Sequence, residues 1–541
     1  MIYINHQYSP VLMIRTGRLR HCIVTCLVLL HLLCGVCFSR ASTAKKPPPP
    51  RIRFTDYDAA VHAAEALLAQ EATRVANEDL LREFVSYPTV SKDLSFAEAF
   101  PKCADFLVNV LTSRLDLHDA RPYESGYEFP VVVGSSKGLE SDLPSVVVYG
   151  HYDVQPVDGE WTISSPFEMK KIDLEGYGEV YTGRGVQDDK GNTIAALTGI
   201  AALHESIDGG LASLPINVIV VLEGEEEIGS KGFGHFLEKN PSVFGKTAVM
   251  LCADGSQPRA DVGAVQLSNR GSVSGVLDVT GADADLHSGT YGGSILNPLV
   301  AMSRILAKLH DPETNKIAVP GFYNDVYELT QEERDELEVV DDKEEAASLG
   351  VTHMNGEIGY TTIERKSVRP TLEIVGIRAG FLGEGVKTVL PSTAHAKLSL
   401  RLVKGQDPDR AWRMLDDYIT QLAPKQAFGC TVKLTKMGEG NKAYTADRNS
   451  VGTKVVGEVL DEVYGAKHIV YRMGGSVPVT GFLYETLGVE TVTLAFGLDD
   501  EQIHAPNERY RLSNLDKGQK SYVRAILKLA SALSSPDHLE L

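Results

Sequence analysis

Cysteine is scarce in most of this chain, and its distribution excludes two kinds of framework. Four of the seven cysteines in the 541 residues lie within the first 37 positions, which leaves Cys103, Cys252 and Cys430. These three contain no Cys-x-x-Cys pair, so neither a disulfide scaffold nor a structural cysteine–zinc site is expected. We expect mostly buried free thiols and at most one bridge.

Basic residues are also fewer than acidic residues. The sequence has 53 Lys and Arg residues against 72 Asp and Glu residues, a formal net charge of -19. An acidic surface keeps a protein soluble and argues against nucleic acid as a partner. The 43% hydrophobic content is that of an ordinary globular protein, and the chain is long enough for more than one core.

Long apolar runs are absent after the N-terminal segment. There, Arg15, Arg18 and Arg20 precede the apolar run Cys22–Phe38, and the small residues Ala41–Ala44 follow it. This pattern predicts a secretory signal peptide over residues 1–44 and a secreted or lumenal protein. The alternative is an uncleaved signal anchor, because a run of roughly 17 residues is the lower limit for a membrane span. Only this alternative would give the protein a contact with the membrane. A Pro-rich linker is predicted over residues 45–57.

The remaining sequence predicts an α/β fold with a smaller inserted domain. After one predicted helix over Asp58–Phe84, short apolar runs alternate with helical patterns, which favours a mostly parallel sheet with helices on both faces. Near Val265 the pattern changes, and Ser272–Thr280 alternates apolar and polar residues like an antiparallel strand with one wet face. We therefore predict an α/β domain over residues 58–264 and 438–541, interrupted by an α+β domain over residues 265–437.

Several predicted strands end directly in residues of metal-ligand type. These are His151 and Asp153 after Val146–Tyr149, Glu223–Glu227 after Ile216–Leu222, Asp254 after Val249–Cys252, and His504 after Val489–Phe496. A Gly-rich turn between the first two presents Asp188 and Asp189. By itself the pair His151 and Asp153 would be an ordinary polar strand end. The carboxyl ends of parallel strands converge on one edge, however, so together these residues predict a metal site.

The types of ligand narrow the choice of metal. Imidazole and carboxylate groups without a thiol suit Zn²⁺, Mn²⁺ or Co²⁺ better than Ca²⁺ or a structural zinc ion. The set exceeds what one tetrahedral ion needs, and with one bridging carboxylate it suits a pair of ions. The run of glutamates offers a ligand and a general base at adjacent positions.

These residues lie in motifs that resemble those of the M20 metallopeptidases, and within them the cytosolic nonspecific dipeptidase and carnosine dipeptidase group. The motifs occur in the order of that family from about Asp79 to the C-terminus. They are Gly150-His-Tyr-Asp-Val-Gln-Pro156, Gly183-Arg-Gly-Val-Gln-Asp-Asp-Lys-Gly191, Leu222-Glu-Gly-Glu-Glu-Glu-Ile-Gly-Ser230, Asp285-Leu-His-Ser-Gly-Thr-Tyr-Gly-Gly293, Gly474-Gly-Ser-Val-Pro478 and His504-Ala-Pro-Asn-Glu508.

The resemblance implies a dinuclear metallopeptidase with two divalent ions per subunit, Zn²⁺ or Mn²⁺. Its implied ligands are His151, Asp188, Glu227, Asp254 and His504, with Asp188 bridging the two ions. Asp153 would orient His151, and Glu226 would be the general base that activates a metal-bridging hydroxide. Glu225 would occupy the variable position of the motif.

The resemblance also implies substrate contacts and a partner. Its implied substrate-binding residues are Asp254, His287, Thr388, Arg401, Ser476 and His504. Among them, Arg401 would hold the substrate carboxylate, a task that suits the bidentate geometry of arginine. His287 would reach the active site of a second subunit and stabilise the oxyanion, so we expect a homodimer formed through the inserted lid domain.

We therefore expect a metal-dependent exopeptidase that hydrolyses dipeptides or short peptides with a free C-terminal carboxylate. One alternative is an acyl-amino-acid amidohydrolase or deacetylase on the same scaffold. A more remote alternative is a secreted binding protein without catalysis, which would be expected to lack a ligand or the base. In this sequence Glu226 and every implied ligand position are filled.

Overall fold

The computed structural model describes residues 53–337 and 341–534. The predicted signal segment and residues 45–52 of the predicted linker lie outside these ranges. Within them, no helix combines the length and the apolar character needed to cross a membrane. Cys103, Cys252 and Cys430 are all free thiols, as predicted.

Helices and strands alternate along much of the described chain. The α-helices are Tyr57–Leu68, Glu71–Ser86, Ala99–Leu115, Lys190–Ser206, Lys231–Lys239, Ser288–Tyr291, Pro298–Leu306, Gln331–Asp335, Asp342–Ser348, Thr362–Ser367, Pro408–Gln426, Val451–Tyr464, Pro478–Leu487 and Leu512–Leu533. The strands are His118–Tyr123, Val131–Ser135, Ser145–His151, Lys170–Leu174, Gly178–Thr182, Asn217–Glu223, Thr247–Cys252, Ser256–Gln257, Ala264–Asn269, Gly271–Thr280, Leu286–His287, Thr371–Ala379, Val389–Leu390, Thr393–Leu402, Thr431–Asn441, Tyr444–Thr445, Ile469–Arg472, Thr491–Thr493, Gly497–Leu498 and Arg509–Arg511.

A six-stranded sheet, the main sheet, forms the centre of the molecule. Its order is His118–Tyr123, Val131–Ser135, Asn217–Glu223, Ser145–His151, Thr247–Cys252 and Thr491–Thr493. The last four of these strands run parallel, and the first two are added antiparallel at one edge. The predicted fold class, a mostly parallel α/β sheet, is confirmed.

The central strand Ser145–His151 is buried along its whole length because both faces of the main sheet are covered. Val146 and Val148 belong to the larger hydrophobic cluster, which includes the helices Lys190–Ser206 and Leu512–Leu533. Val147 and Tyr149 point to the other face and pack in a second cluster with Phe233 and Phe236. This two-sided burial is the reason that the strand is a continuous apolar run.

The prediction of a single helix over Asp58–Phe84 is wrong. The structure has two helices, Tyr57–Leu68 and Glu71–Ser86, separated at Gln70, whose backbone is extended. Both helices bury apolar side chains in the same cluster, so the apolar spacing continues across the break. Periodicity records which residues are buried and does not record a short interruption of the backbone.

A four-stranded antiparallel sheet, the insert sheet, has its own hydrophobic core. Its order is Thr371–Ala379, Thr393–Leu402, Gly271–Thr280 and Thr431–Asn441. Burial alternates along Gly271–Thr280, as predicted. The helices Pro298–Leu306 and Pro408–Gln426 pack on the buried face. The smaller inserted domain of the predicted fold class is thus present, while its exact boundaries stay predictions.

Candidate metal centre

Three ligand-type side chains meet at the carboxyl edge of the main sheet. His151, Glu226 and Asp254 each offer one atom, and these atoms lie within 4.8 Å of one another. His151 ends its strand, while Glu226 and Asp254 follow the two strands that flank it in parallel. The parallel order therefore places the three residues together, and we call them the first cluster.

A second cluster lies beside the first. Its ligand atoms come from Asp188, Glu227 and His504 and again lie within 4.8 Å of one another. Asp188 precedes the helix Lys190–Ser206, and Glu227 follows Glu226 on a short 3-10 turn. His504 lies in a loop with a φ of 63°, and about half of its side chain, 51%, is exposed. The neighbouring glutamates thus serve different clusters.

The carboxylate of Asp188 joins the two clusters. Its Oδ1 lies 3.1 Å from Nε2 of His151, and its Oδ2 lies 2.7 Å from Nε2 of His504. Each oxygen therefore faces one cluster. This is the arrangement that a carboxylate shared between two metal ions requires.

Asp153 contacts residues of both clusters. Its Oδ1 and Oδ2 accept hydrogen bonds of 3.1 Å from the backbone N–H groups of Glu226 and Glu227. Its Oδ1 also lies 3.3 Å from Nδ1 of His151. One buried carboxylate thus fixes a histidine and two glutamates, and it belongs to neither cluster.

The electrostatics of the site suit divalent cations. Burial, with help from neighbouring carboxylates, raises the pKa of Glu227 to about 8 and that of Asp254 to about 6. Asp188 is the exception: burial alone would raise its pKa, but hydrogen bonds to His151 and His504 hold it below its usual range. Within the described part of the chain, Oε1 of Glu227 is buried without a hydrogen-bond partner.

The residues present therefore fit a pair of divalent ions. The site holds several buried carboxylates and only two imidazoles, so positive charge is missing. The donors are oxygen and imidazole nitrogen, as Zn²⁺ and Mn²⁺ accept. Oε1 of Glu227 forms no hydrogen bond among the described residues and lies 3.6 Å from Nε2 of His504, so it is available to a cation beside that imidazole.

The other two glutamates of the Glu223–Glu227 run face elsewhere. The carboxylate of Glu225 accepts hydrogen bonds from the backbone N–H groups of Glu128, Phe129 and Gly232, at 2.9, 2.8 and 2.9 Å. Glu223 is buried and accepts hydrogen bonds from the Tyr149 hydroxyl and, at 2.9 Å, from the Ser230 hydroxyl. Only Glu226 and Glu227 enter the clusters.

Three further residues contact the predicted ligands; the sequence offered no role for Gln155 and Glu508, and it named Asp189 only beside Asp188 as a residue of metal-ligand type. Gln155 donates a hydrogen bond to the carboxylate of Glu227. Oδ2 of Asp189 accepts a hydrogen bond of 3.2 Å from the backbone N–H of His151. Glu508 accepts one of 3.2 Å from the backbone N–H of Asp188. All three lie inside the quoted motifs, but a polar residue in a loop gives no periodic signal of what it contacts.

Among the residues predicted to bind substrate, Asp254 and His504 lie in the ligand clusters, and the other four form two groups. Nη1 of Arg401, at the end of the insert sheet, donates a hydrogen bond of 2.8 Å to the hydroxyl of Ser476. His287 and Thr388 lie side by side elsewhere, because the backbone N–H of Ser288 donates to the Thr388 carbonyl at 3.0 Å. Among the described residues, exposed His287 accepts its hydrogen bond from Gly289 and contacts neither cluster.

Comparison with known proteins shows which family the chain matches. Residues 147–528 match the model of the peptidase family M20/M25/M40. The Cys-Gly metallodipeptidase DUG1 of Candida albicans is 30% identical over 467 residues, which are 82% of this chain and 92% of that protein. The Beta-Ala-His dipeptidase of Homo sapiens is 26% identical over 405 residues, 74% of this chain and 78% of that protein.

Solved structures agree on the fold. The structure of the di-peptidase Dug1p from Saccharomyces cerevisiae superposes with a TM-score of 0.74 at 24% identity, covering 89% of this chain and 99% of that one. The same architecture of main sheet and insert is thus shared with a solved di-peptidase.

The predicted secretory localisation is wrong by these comparisons. The relatives that match more than four-fifths of the chain include Cys-Gly metallodipeptidases of three yeasts. Those matches give no support for secretion. The prediction depended on the local apolar pattern of residues 1–44, which lie outside the described residues.

Proposed function

Because the chain belongs to the M20/M25/M40 peptidase family, we propose that it hydrolyses dipeptides or short peptides that carry a free C-terminal carboxylate. The chain is an enzyme, a peptidase, and metallopeptidases of this family depend on two metal ions. The observation that carries the proposal is the carboxylate of Asp188, which links the two ligand clusters. The dipeptidases among its relatives support the substrate class.

The ligand assignment follows the two clusters. His151 and Asp254 would hold one ion, Glu227 and His504 the other, and Asp188 would be shared. Two ions bound there, which we propose to be Zn²⁺ or Mn²⁺, would supply a nucleophilic water and polarise the scissile carbonyl. Asp153 holds the backbone from which both glutamates project, so it would preserve the spacing of the two clusters.

Glu226 is the proposed general base. Its carboxylate lies in the first cluster, beside His151 and Asp254, and its backbone N–H is held by Asp153. Burial raises its pKa, and nearby Asp254 raises it further. A raised pKa makes the carboxylate a stronger base towards the attacking water, and its protonated form can then pass the proton to the leaving amine.

Arg401 and Ser476 would bind the C-terminal carboxylate of the substrate. The guanidinium of Arg401 is half-buried and is already oriented by its hydrogen bond to Ser476. A fixed guanidinium can pair with both carboxylate oxygens. This contact favours peptides with a free C-terminus.

A homodimer would complete the site. His287 is exposed and contacts neither cluster of its own chain within the described residues, so the proposal assigns it to the oxyanion in the partner subunit. The edge strand Thr371–Ala379 exposes Val375 and Ile377, by 62% and 54%. An unpaired edge strand with apolar side chains is a surface on which a second copy can pair.

The test of the base is Glu226→Gln with Glu238→Gln as its matched control. Glu238 is exposed on the helix Lys231–Lys239. We expect Glu226→Gln to keep its bound metal, measured by elemental analysis, and to lose about 10²–10⁴-fold in kcat on a dipeptide, while the control is unchanged. A metal-loaded Glu226→Gln enzyme with the wild-type kcat would refute the assigned role.

A substrate panel tests the substrate class. We expect dipeptides to be hydrolysed with a higher kcat/KM than N-acetyl amino acids, and elemental analysis of the purified enzyme to find zinc or manganese. Faster hydrolysis of the acetylated compounds would replace the dipeptidase proposal with the amidohydrolase alternative.

A further inference from the structure

Arg270 lies where the chain passes from the main sheet region into the insert sheet. It directly precedes the strand Gly271–Thr280. Its backbone N–H donates to the carbonyl of Gly475 at 2.9 Å, and its Nε donates to the carbonyl of Gly474 at 2.7 Å. Its Nη1 donates to the carbonyl of Arg369 at 3.2 Å. One side chain therefore ties two distant segments to the start of the insert.

The segment Gly474–Ser476, here called the Gly-Gly-Ser turn, is also the segment that Arg401 contacts. Arg401 donates to the Ser476 hydroxyl at 2.8 Å from the end of the strand Thr393–Leu402. Arg270 and Arg401 therefore contact all three residues of the turn: their guanidinium groups contact Gly474 and Ser476, and the backbone N–H of Arg270 contacts Gly475. The turn that would carry a substrate contact has its position set by Arg270.

The Gly-Gly-Ser turn has little freedom to move. A Cβ atom added at Gly474 would lie 2.3 Å from the carbonyl oxygen of Lys366. The backbone there is thus packed against the segment that precedes Arg369. Any shift of the turn would break either this packing or the hydrogen bonds from Arg270.

The charge balance around the two guanidinium groups favours an anion. Among the residues that the structure describes, neither Arg270 nor Arg401 forms an ion pair, and both are half-buried. Burial lowers the pKa of Arg270 to about 10, and the charge of Arg401 lowers it further, while Glu373 partly opposes both. Partly buried cations that form no ion pair favour an incoming anion.

We propose that Arg270 is a positioning residue of the carboxylate subsite: it fixes the Gly-Gly-Ser turn so that Ser476 and Arg401 meet the C-terminal carboxylate of the peptide, and its charge adds to that of Arg401. This inference rests on the proposed peptidase function. Arginine suits the task because its planar fork can donate to two carbonyl groups in fixed directions, which a lysine ammonium cannot reproduce.

The experiment compares Arg270→Lys, Arg270→Gln and wild type on one dipeptide and on the C-terminal amide of that dipeptide. We expect Arg270→Gln to raise KM for the free acid about tenfold or more with kcat within about threefold, because the lost contact acts on binding. The KM of Arg270→Lys should lie between those of Arg270→Gln and wild type, since lysine keeps the charge but not the planar fork. The preference for the acid over the amide should be highest in wild type, lower in Arg270→Lys and lowest in Arg270→Gln.

The matched control is Arg82→Gln. Arg82 is also half-buried and donates to a backbone carbonyl, that of Met169 at 3.0 Å. Its loss should leave the acid-over-amide preference unchanged. If Arg270→Gln is poorly folded, Arg270→Lys carries the same comparison.

Two results would overturn the inference while leaving the peptidase function intact. One is an unchanged KM and preference in a folded Arg270→Gln enzyme. The other is an equal loss on acid and amide together with a lower melting temperature, which would make Arg270 merely structural. Wild-type enzyme that hydrolyses no dipeptide would instead contradict the proposed function itself.

Discussion

At the residue scale, Glu508 connects the loop of His504 to the loop of Asp188. Its fully buried carboxylate accepts hydrogen bonds from the Arg184 guanidinium at 2.7 Å and from the backbone N–H groups of Gly185, Gln187 and Asp188 at 3.1, 3.0 and 3.2 Å. Four donors converge on one side chain. Glu508 therefore holds in place the residue proposed to be shared by both metal ions.

We expect Glu508→Gln to destabilise the protein by about 3–5 kcal/mol, because it leaves Arg184 buried without a counter-charge and replaces an acceptor by a donor. It should also weaken metal binding, since the backbone of Asp188 loses its anchor. Thermal unfolding and metal competition with a chelator measure the two effects. The exposed Glu160→Gln is the control, and unchanged values in Glu508→Gln would show that the four contacts do not position Asp188.

Glu223 gives a prediction about pH. Burial raises its pKa to about 8, although the Tyr149 hydroxyl lowers it and Asp153 raises it again. The native state therefore binds a proton that the unfolded state releases between the ordinary pKa of 4.5 and about 8. Across that interval, the contribution of Glu223 to stability falls as pH rises.

Glu223→Gln removes this titration and keeps the size of the side chain. Its stability relative to wild type should therefore rise between pH 5 and pH 8, by up to about 1.4 kcal/mol per pH unit. Urea unfolding of both proteins at three pH values measures the difference. A difference that does not change with pH would contradict the raised pKa.

At the element scale, the helix that follows Asp188 packs closely on the C-terminal helix. A Cβ atom at Gly199 of Lys190–Ser206 would lie 2.4 Å from the carbonyl oxygen of Gln519 in Leu512–Leu533. Gly199→Ala must therefore push the two backbones apart. We expect a loss of about 1–3 kcal/mol in the free energy of unfolding.

Gly234→Ala is the matched comparison in the helix Lys231–Lys239. There the nearest heavy atom to a Cβ would be in the Phe482 ring at 4.0 Å. Alanine should fit and stabilise the helix by up to about 1 kcal/mol. Denaturant unfolding should thus give opposite signs for the two substitutions, and a stabilised Gly199→Ala protein would contradict the close packing.

The elements themselves differ in how far local sequence predicts them. The strand Ser145–His151 was predictable because burial on both faces makes it an apolar run. The strand His118–Tyr123 lies at the sheet edge, is largely exposed and has no apolar alternation, so no pattern revealed it. An edge strand depends on its neighbour for its hydrogen bonds rather than on its own side chains.

At the scale of the whole molecule, the proposed dimer makes activity depend on protein concentration. Replacing Val375 and Ile377 by lysine places charge on the exposed edge strand, which should prevent pairing with a second copy. We expect a monomer by sedimentation and a large loss of kcat, because the partner subunit's His287 would be missing from the site. Adding the Glu226→Gln protein, in which Val375 and Ile377 are intact, should not restore activity to the monomer.

Val75→Lys is the control for this substitution. Val75 is an apolar residue on the helix Glu71–Ser86 and is 49% exposed, away from the insert sheet. It should leave both the oligomeric state and the activity unchanged. A Val375/Ile377 variant that remains a dimer would contradict the proposed interface. A monomeric variant with full activity would contradict the role of His287.

The sequence by itself determined the family, the fold class and the types of ligand available. Apolar runs bounded by Gly and Pro marked the central strands, and His, Asp and Glu residues followed their carboxyl ends. The predicted family, fold class and enzymatic nature are confirmed. Local patterns carry this information because burial and backbone period act on neighbouring residues.

Only the tertiary structure decided which of these residues meet. It placed Glu226 with His151 and Glu227 with His504, turned Glu225 towards the backbone, and set Asp188 between the two clusters. Asp188 and His504 are 316 positions apart, and Glu508 and Asp188 are 320 apart. Contacts over such separations arise from sheet order and loop packing, and a single sequence has no periodic signal that records them.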